Sequence, residues 1–176
     1  LRRIAPVQTP ADIAQSRRDE FAAGRGEVFA FGAEADFKNS SQKIGYAFQG
    51  GLSLPEKAYY LEDGPAGKYK AIREAFIQHV SKQLQNAGVA AADAGTQAKD
   101  VLAFETSLAK ASLSPIELRN PENQYHYVTI ADADKASPNF KWSEFFKANG
   151  VQAYGFSLSQ PKFFSEFDKM LVEVPL

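Results

Sequence analysis

The chain has 176 residues with 20 Lys+Arg against 21 Asp+Glu, a formal net charge of −1, and so lacks the basic excess that nucleic-acid binding draws on. Its hydrophobic content of 44%, with 14 Phe, 7 Tyr and 1 Trp, suits one domain, or one domain plus a piece of another, with a largely aromatic core. Cysteine is absent, which excludes disulfides, thiolate zinc sites and a cysteine nucleophile but leaves the compartment open, and no apolar run is long enough to span a bilayer.

No signal peptide is read at the start, and a first residue other than Met is expected of a processed or truncated chain. Thr9-Pro10-Ala11-Asp12 predicts a helix start: Thr caps, Pro fits the first helical position, and Asp suits the positive end of the dipole. The helix should run toward Ala23 and stop at Gly24 or Gly26. Val28 to Phe48 then reads as a β-hairpin. Phe29, Phe31, Ala33, Ala35 and Phe37 alternate with Glu34, Asp36 and Lys38, and Ile44, Tyr46 and Phe48 alternate with Lys43, Gly45 and Gln49. Asn39-Ser40-Ser41-Gln42 suits the turn. A lone two-stranded hairpin is marginal in water, so this one must meet helices or strands from elsewhere, including strands missing from the chain. Gly50-Gly51 and Pro55 end it, before Leu61.

Glu62-Asp63-Gly64-Pro65 is a turn. Tyr69, Ile72, Phe76, Val80 and Leu84 form one helical stripe, closed at Asn86-Ala87-Gly88. A second helix is expected from about Ala91 to Ser112, with Ala98, Val101, Leu102, Leu108 and Ala109 apolar. The short link makes the two an antiparallel pair. Pro115 to Pro138 is irregular, with a short helix near Ile130 to Lys135. A helix from Ser143 to Ala148, an extended Val151 to Leu158, and a last helix from Lys162 to Val172 complete the chain. The fold class is mainly α with a β-hairpin (α+β), an antiparallel helix pair plus shorter helices. Three segments follow in order: 1–27 with the first helix, 28–61 with the hairpin and Gly/Pro corner, and 62–176 helical.

Candidates for chemistry are few. His79 and His126 lack a histidine four residues away and no HExxH is present, so a zinc site built from this chain alone is not expected. Glu105 is in register with the core stripe of its helix, where a carboxylate requires a partner, and Arg119 is a candidate for it. A catalytic acid is the functional reading of Glu105; a buried ion pair is the structural one, and no second carboxylate or nucleophile stands at a telling spacing. Asp36 to Ser41 does not match an EF-hand, so Asp36 and Asn39 read as turn residues bonding their own backbone. Gly50-Gly51 has no following Gly-Lys-Ser/Thr and is no phosphate loop.

The order of motifs is more specific than any of them alone. Asp36-x-Lys38-Asn39-Ser40, Gly51-Leu52-x-Leu54-Pro55-x-x-x-Tyr59-Tyr60-Leu61, Glu105-x-x-Leu108-Ala109, Glu117-Leu118-Arg119-Asn120, Tyr125-His126-x-x-Thr129, Phe140-x-Trp142 and Ser159-Gln160-Pro161-x-Phe163-Phe164, with Pro175-Leu176 at the end, arrive in one series. The series resembles the N-terminal region of the neprilysin and endothelin-converting-enzyme type zinc metalloendopeptidases, over essentially the whole chain from about Thr9.

The resemblance implies a bacterial-type fragment of the mostly helical, non-catalytic half of a larger two-domain enzyme. That half walls a cavity limiting the peptides that enter. The family's HExxH, its glutamate zinc ligand and its substrate clamp are absent here, so no catalytic or metal residue carries over. Glu105, Arg119, Asp36, Asn39, Tyr59 and Tyr60 are expected as structural residues. No cofactor is expected in this chain and zinc in the parent. The implied partners are the catalytic domain of the same polypeptide and the parent's peptide substrates, with no nucleic acid and no membrane span, in a periplasmic or extracellular location. Two departures stand out. His126 occupies a place where the family often has Asn, and the disulfides of mammalian members are missing. The alternative is a stand-alone helical peptide- or protein-binding module without catalysis.

Overall fold

The computed structural model describes residues 7–174. Its contacts divide the chain into two compact units that do not follow sequence order: Leu52–Pro115 forms one, and the stretches through Gly51 and from Ile116 form the other. The second unit is discontinuous because its sheet draws strands from both flanks of the chain.

In the sheet unit, α1 (Pro10–Ala22) starts as predicted. The Thr9 hydroxyl accepts from Asp12 N at 3.2 Å while the Asp12 carboxylate accepts from Thr9 N at 2.9 Å, a reciprocal capping box. Strands β1 (Phe29–Ala35) and β2 (Lys43–Gln49) pair antiparallel with Ala35 opposite Lys43. The turn is therefore longer than the four residues expected, reaching from Asp36 to Gln42, and Asp36 N closes it on Gln42 O at 2.9 Å. Two further strands complete a four-stranded sheet of order β1-β2-β4-β3: β3 (Tyr127–Thr129) lies antiparallel to β4 (Gly155–Leu158), and β4 lies parallel to β2. The hairpin's strand partner is thus within this chain.

Directly opposed residues share a face, so this register puts the apolar sides of the two arms on opposite faces. Phe29 and Phe31 share theirs with Ala47, Phe156 and Leu158. On the other, Tyr46 stacks on Phe48 with centroids 5.7 Å apart, and its hydroxyl donates to Ala35 O and accepts from Phe37 N, both at 3.1 Å. The Phe29 face meets α1, α6 (Trp142–Ala148) and α7 (Pro161–Glu173) in one aromatic core. Trp142, fully buried, has Phe29, Phe140, Phe145, Phe156 and Phe164 around it at centroid distances of 4.8 to 5.4 Å. The short helix α5 (Ile130–Ala136) follows β3 directly. Gly155 must be glycine here: a Cβ would lie 2.4 Å from Val128 O and 2.7 Å from the Tyr127 hydroxyl.

The helical unit holds α2 (Ala58–Leu61), a 3-10 turn at Pro65–Gly67, α3 (Lys68–Asn86) and α4 (Ala91–Ala111). The helix pair expected from the two stripes is present. Fully buried Ala94 and Ala98 belong to the core side of α4. The α3 stripe of Tyr69, Ile72, Phe76, Val80 and Leu84 is only half-buried. With its sheet and helices, the whole is α+β and mainly helical.

Candidate functional site

A buried carboxylate organises the helical unit. Glu105 lies on the core side of α4 and is 6% exposed, as its register predicts. One carboxylate oxygen accepts from Ser53 Oγ at 2.7 Å, the other from Ser53 N at 3.0 Å and from the Tyr60 hydroxyl. Tyr60 Oη also accepts from Leu54 N at 2.8 Å. Lys57 Nζ, from the same corner, donates to Ser112 O at the end of α4 at 2.6 Å. The corner Ser53–Leu61 is thereby fastened to α4 by one carboxylate, one phenol and one ammonium.

Arg119 ends the 3-10 turn Glu117–Arg119 in the sheet unit. Within its own unit, Glu105 takes its hydrogen bonds from neutral donors of the corner just N-terminal to its helix pair. Hydroxyl and amide donors to a carboxylate remove the need for a guanidinium. The same bonds shape Tyr60. Burial first, and then the hydrogen bond donated to Glu105, hold its phenol well above the usual phenol range, against the opposing pull of the Leu54 amide. The arrangement presents acceptors already used and a phenol held neutral, which is the chemistry of a fastening rather than of proton transfer to a bound molecule.

The other residues singled out from the sequence lie apart from this cluster. Asp36 Oδ1 accepts from Lys38 N at 2.9 Å, and Asn39 Oδ1 accepts from Ser41 N and Oγ at 3.3 and 2.6 Å, so both bond within the hairpin turn. The Tyr59 ring stacks on Tyr69 with centroids 4.3 Å apart, and its carbonyl accepts from Arg73 Nη1 at 2.7 Å. His79 is exposed on α3 and His126 is exposed just before β3. Pro175-Leu176 lie outside the described residues. Among the described residues no three His, Asp or Glu side chains are grouped to hold a metal ion. A groove of ≈ 520 Å³ between α3 and α4 is lined by Gln78, Ser81, Lys82, Thr96 and Lys99 among others, and an apolar one of ≈ 420 Å³ by Phe21, Phe29 and Phe31. Neither includes Glu105.

Two buried charged groups went unread in the sequence. Asp168, 4% exposed on α7, accepts from Asn139 N, Asn139 Nδ2 and Phe140 N at 2.9, 2.9 and 2.7 Å. Its signal was available, because it stands four residues after Phe164 and three before Leu171, in register with an apolar stripe just as Glu105 is. Arg18, on α1, donates through Nη1 to Phe140 O and through Nη2 to Gln15 Oε1. Burial pulls its guanidinium below the ordinary arginine value, with Glu144 and Asp19 acting the other way.

The profile described as peptidase family M13 matches residues 3–176. Neprilysin-3 of Drosophila melanogaster is 29% identical over 128 residues, which is 73% of this chain and 16% of the relative. Endothelin-converting enzyme 1 of Cavia porcellus is 31% identical over 117 residues, 66% of this chain and 15% of the relative. The zinc metalloprotease Zmp1 of Mycobacterium tuberculosis shares the fold, with a TM-score of 0.88 at 21% identity over 99% of this chain and 26% of its own. PepO of Lactobacillus rhamnosis gives a TM-score of 0.74 at 13% identity, over 96% of this chain and 28% of its own. The chain thus spans about a sixth of these curated relatives and about a quarter of the solved ones.

Proposed function

This chain belongs to peptidase family M13, as an N-terminal region of it, and on that premise we propose that it is a non-catalytic part of a neprilysin-like zinc endopeptidase. Its task is to form the wall of the cavity that limits which peptides reach the catalytic domain. The observation that carries this reading is a family match running from residue 3 to residue 176 in a sequence without HExxH. The described residues offer no fitting set of ligands for zinc. Metal binding and hydrolysis are therefore assigned to the catalytic domain of the same polypeptide. The contribution of this chain is a scaffold: Glu105, Tyr60 and Ser53 fix the corner on which the helical unit is built, and the aromatic core fixes the sheet unit.

The test compares this chain alone with the same chain in its full reading frame, by elemental analysis and by hydrolysis of a ladder of peptides and folded proteins. The chain alone should hold no stoichiometric zinc and cut nothing. The full protein should hold zinc and cut short peptides in preference to folded ones. Zinc near one equivalent in the chain alone, or a reading frame without HExxH, overturns the proposal. A periplasmic or extracellular location belongs to the same reading, and fractionation of the source cells tests it. No helix among the described residues is long and apolar enough to cross a membrane.

A further inference from the structure

The C-terminal end of α6 carries the one Asn-Gly pair of the chain, Asn149-Gly150. Asn-Gly is the dipeptide in which a backbone amide most readily reaches the preceding carboxamide, since glycine adds no side chain to hinder the approach. Here both reacting groups are engaged. Asn149 caps the helix at φ −88°, ψ 0°, and its Nδ2 donates to Phe145 O at 2.8 Å, alongside its own backbone N–H at 3.1 Å. Gly150 takes φ +66°, its N–H donates to Lys147 O at 3.1 Å, and Val151 N donates to Phe146 O at 3.0 Å. These two bonds are those of a Schellman motif with glycine in the left-handed position. The attacking nitrogen and the carboxamide under attack are thus both committed to ending the helix.

We propose that Asn149 is a self-modification site whose deamidation is gated by the fold of α6. In the reaction Gly150 N loses its proton to solvent base and bonds to Asn149 Cγ, and the bond from Cγ to Nδ2 breaks as Nδ2 takes a proton from solvent and leaves as ammonia. The resulting cyclic imide is then opened by water, at one carbonyl to give aspartate and at the other to give isoaspartate. Either product ends the protection that preceded it. Aspartate loses the Nδ2 donor to Phe145 O and sets a negative charge at the negative end of a helix, and isoaspartate lengthens the main chain through the Schellman turn. Phe145 and Phe146, both buried, stand directly before that turn.

The test incubates the intact chain at mildly alkaline pH in buffer and in unfolding urea, and follows the Asn149 segment by peptide mass spectrometry with isoaspartate detection. Conversion in buffer should be at least about tenfold slower than in urea, because opening of the turn must come first. Asn149→Gln should abolish product at this segment in both solvents. Gly150→Ala should slow conversion in urea, where the fold no longer contributes. Equal rates in buffer and urea overturn the gating, and no conversion at Asn149 in urea overturns the site.

Discussion

The two units of this chain solve the same problem with opposite materials. The sheet unit buries rings: Trp142 and Phe29 each touch several others, and seven of its phenylalanines, Phe140, Phe145, Phe146, Phe156, Phe163, Phe164 and Phe167, are almost wholly removed from water. The helical unit buries mostly alanines, with Leu108, the Tyr60 ring and a carboxylate, and leaves the apolar stripe of α3 half-exposed. Area-driven stability is spread over many contacts, whereas a carboxylate with three donors concentrates it at one position. Core truncation should therefore dominate in one unit and the loss of a single polar group in the other.

The largest effect is expected from Phe29→Ala, which should cost about 3–5 kcal/mol, as for other phenylalanines removed from a packed core. Urea unfolding followed by Trp142 emission, which reports the sheet unit alone, gives the value. Phe76→Ala, on the half-buried α3 stripe, should cost about 1–2 kcal/mol in proportion to its smaller burial. Similar costs for the two would break the comparison.

Glu105→Gln comes next, at about 2–3 kcal/mol, because an amide cannot accept from Ser53 and Tyr60 as a carboxylate does. Circular dichroism of the helices should register the loss at lower denaturant than Trp142 emission does. Coincident transitions would show instead that the two units unfold as one.

A pH experiment sharpens the same point. The folded pKa of Tyr60 is raised above the ordinary value of 10.0 by burial and by Glu105, so the neutral phenol is the form the fold prefers. The associated stabilisation is fully present below pH 10 and drains away as pH rises beyond it. Alkaline melts of the wild type should show that decline in the helical signal, and Tyr60→Phe should flatten it. An unchanged slope in Tyr60→Phe would move the effect to Tyr46 or Tyr125, which burial also raises.

The smallest changes concern one strained residue in each unit. Lys141 (φ 57°, ψ 94°) and Ala66 (φ 51°, ψ 31°) hold positive φ without being glycine. Glycine at either should stabilise by about 0.5–1 kcal/mol, read from a thermal melt.

Most elements were legible in the sequence because their signals are local. Thr9-Pro10-x-Asp12 marked α1, the stripes marked α3 and α4, and period-two alternation marked both hairpin arms. Glu105 was placed in the core by register alone. What stayed hidden was non-local or very short. β3 has three residues, too few for a period, and the parallel pairing of β2 with β4 joins segments that no window contains. The partner of Glu105 was sought among cations, while the donors stood in the Gly-Leu-Ser-Leu-Pro corner and its Tyr60. Neutral donors leave no charge pattern to read.

The discontinuity of the sheet unit sets an order of events during synthesis. The bond from Gln49 N to Gln160 Oε1 spans 111 residues, and β2 cannot gain its parallel neighbour until β4 has left the ribosome. The helical unit, contiguous from Leu52 to Pro115, is complete well before then. The nascent chain therefore holds the whole helical segment while β1 and β2 still lack β4 along one edge, the state in which a strand is most open to wrong partners. The polar turn at Asp36 to Gln42, with Lys38 inside it and Lys43 directly after it, places charge at the end of that hairpin for as long as the wait lasts.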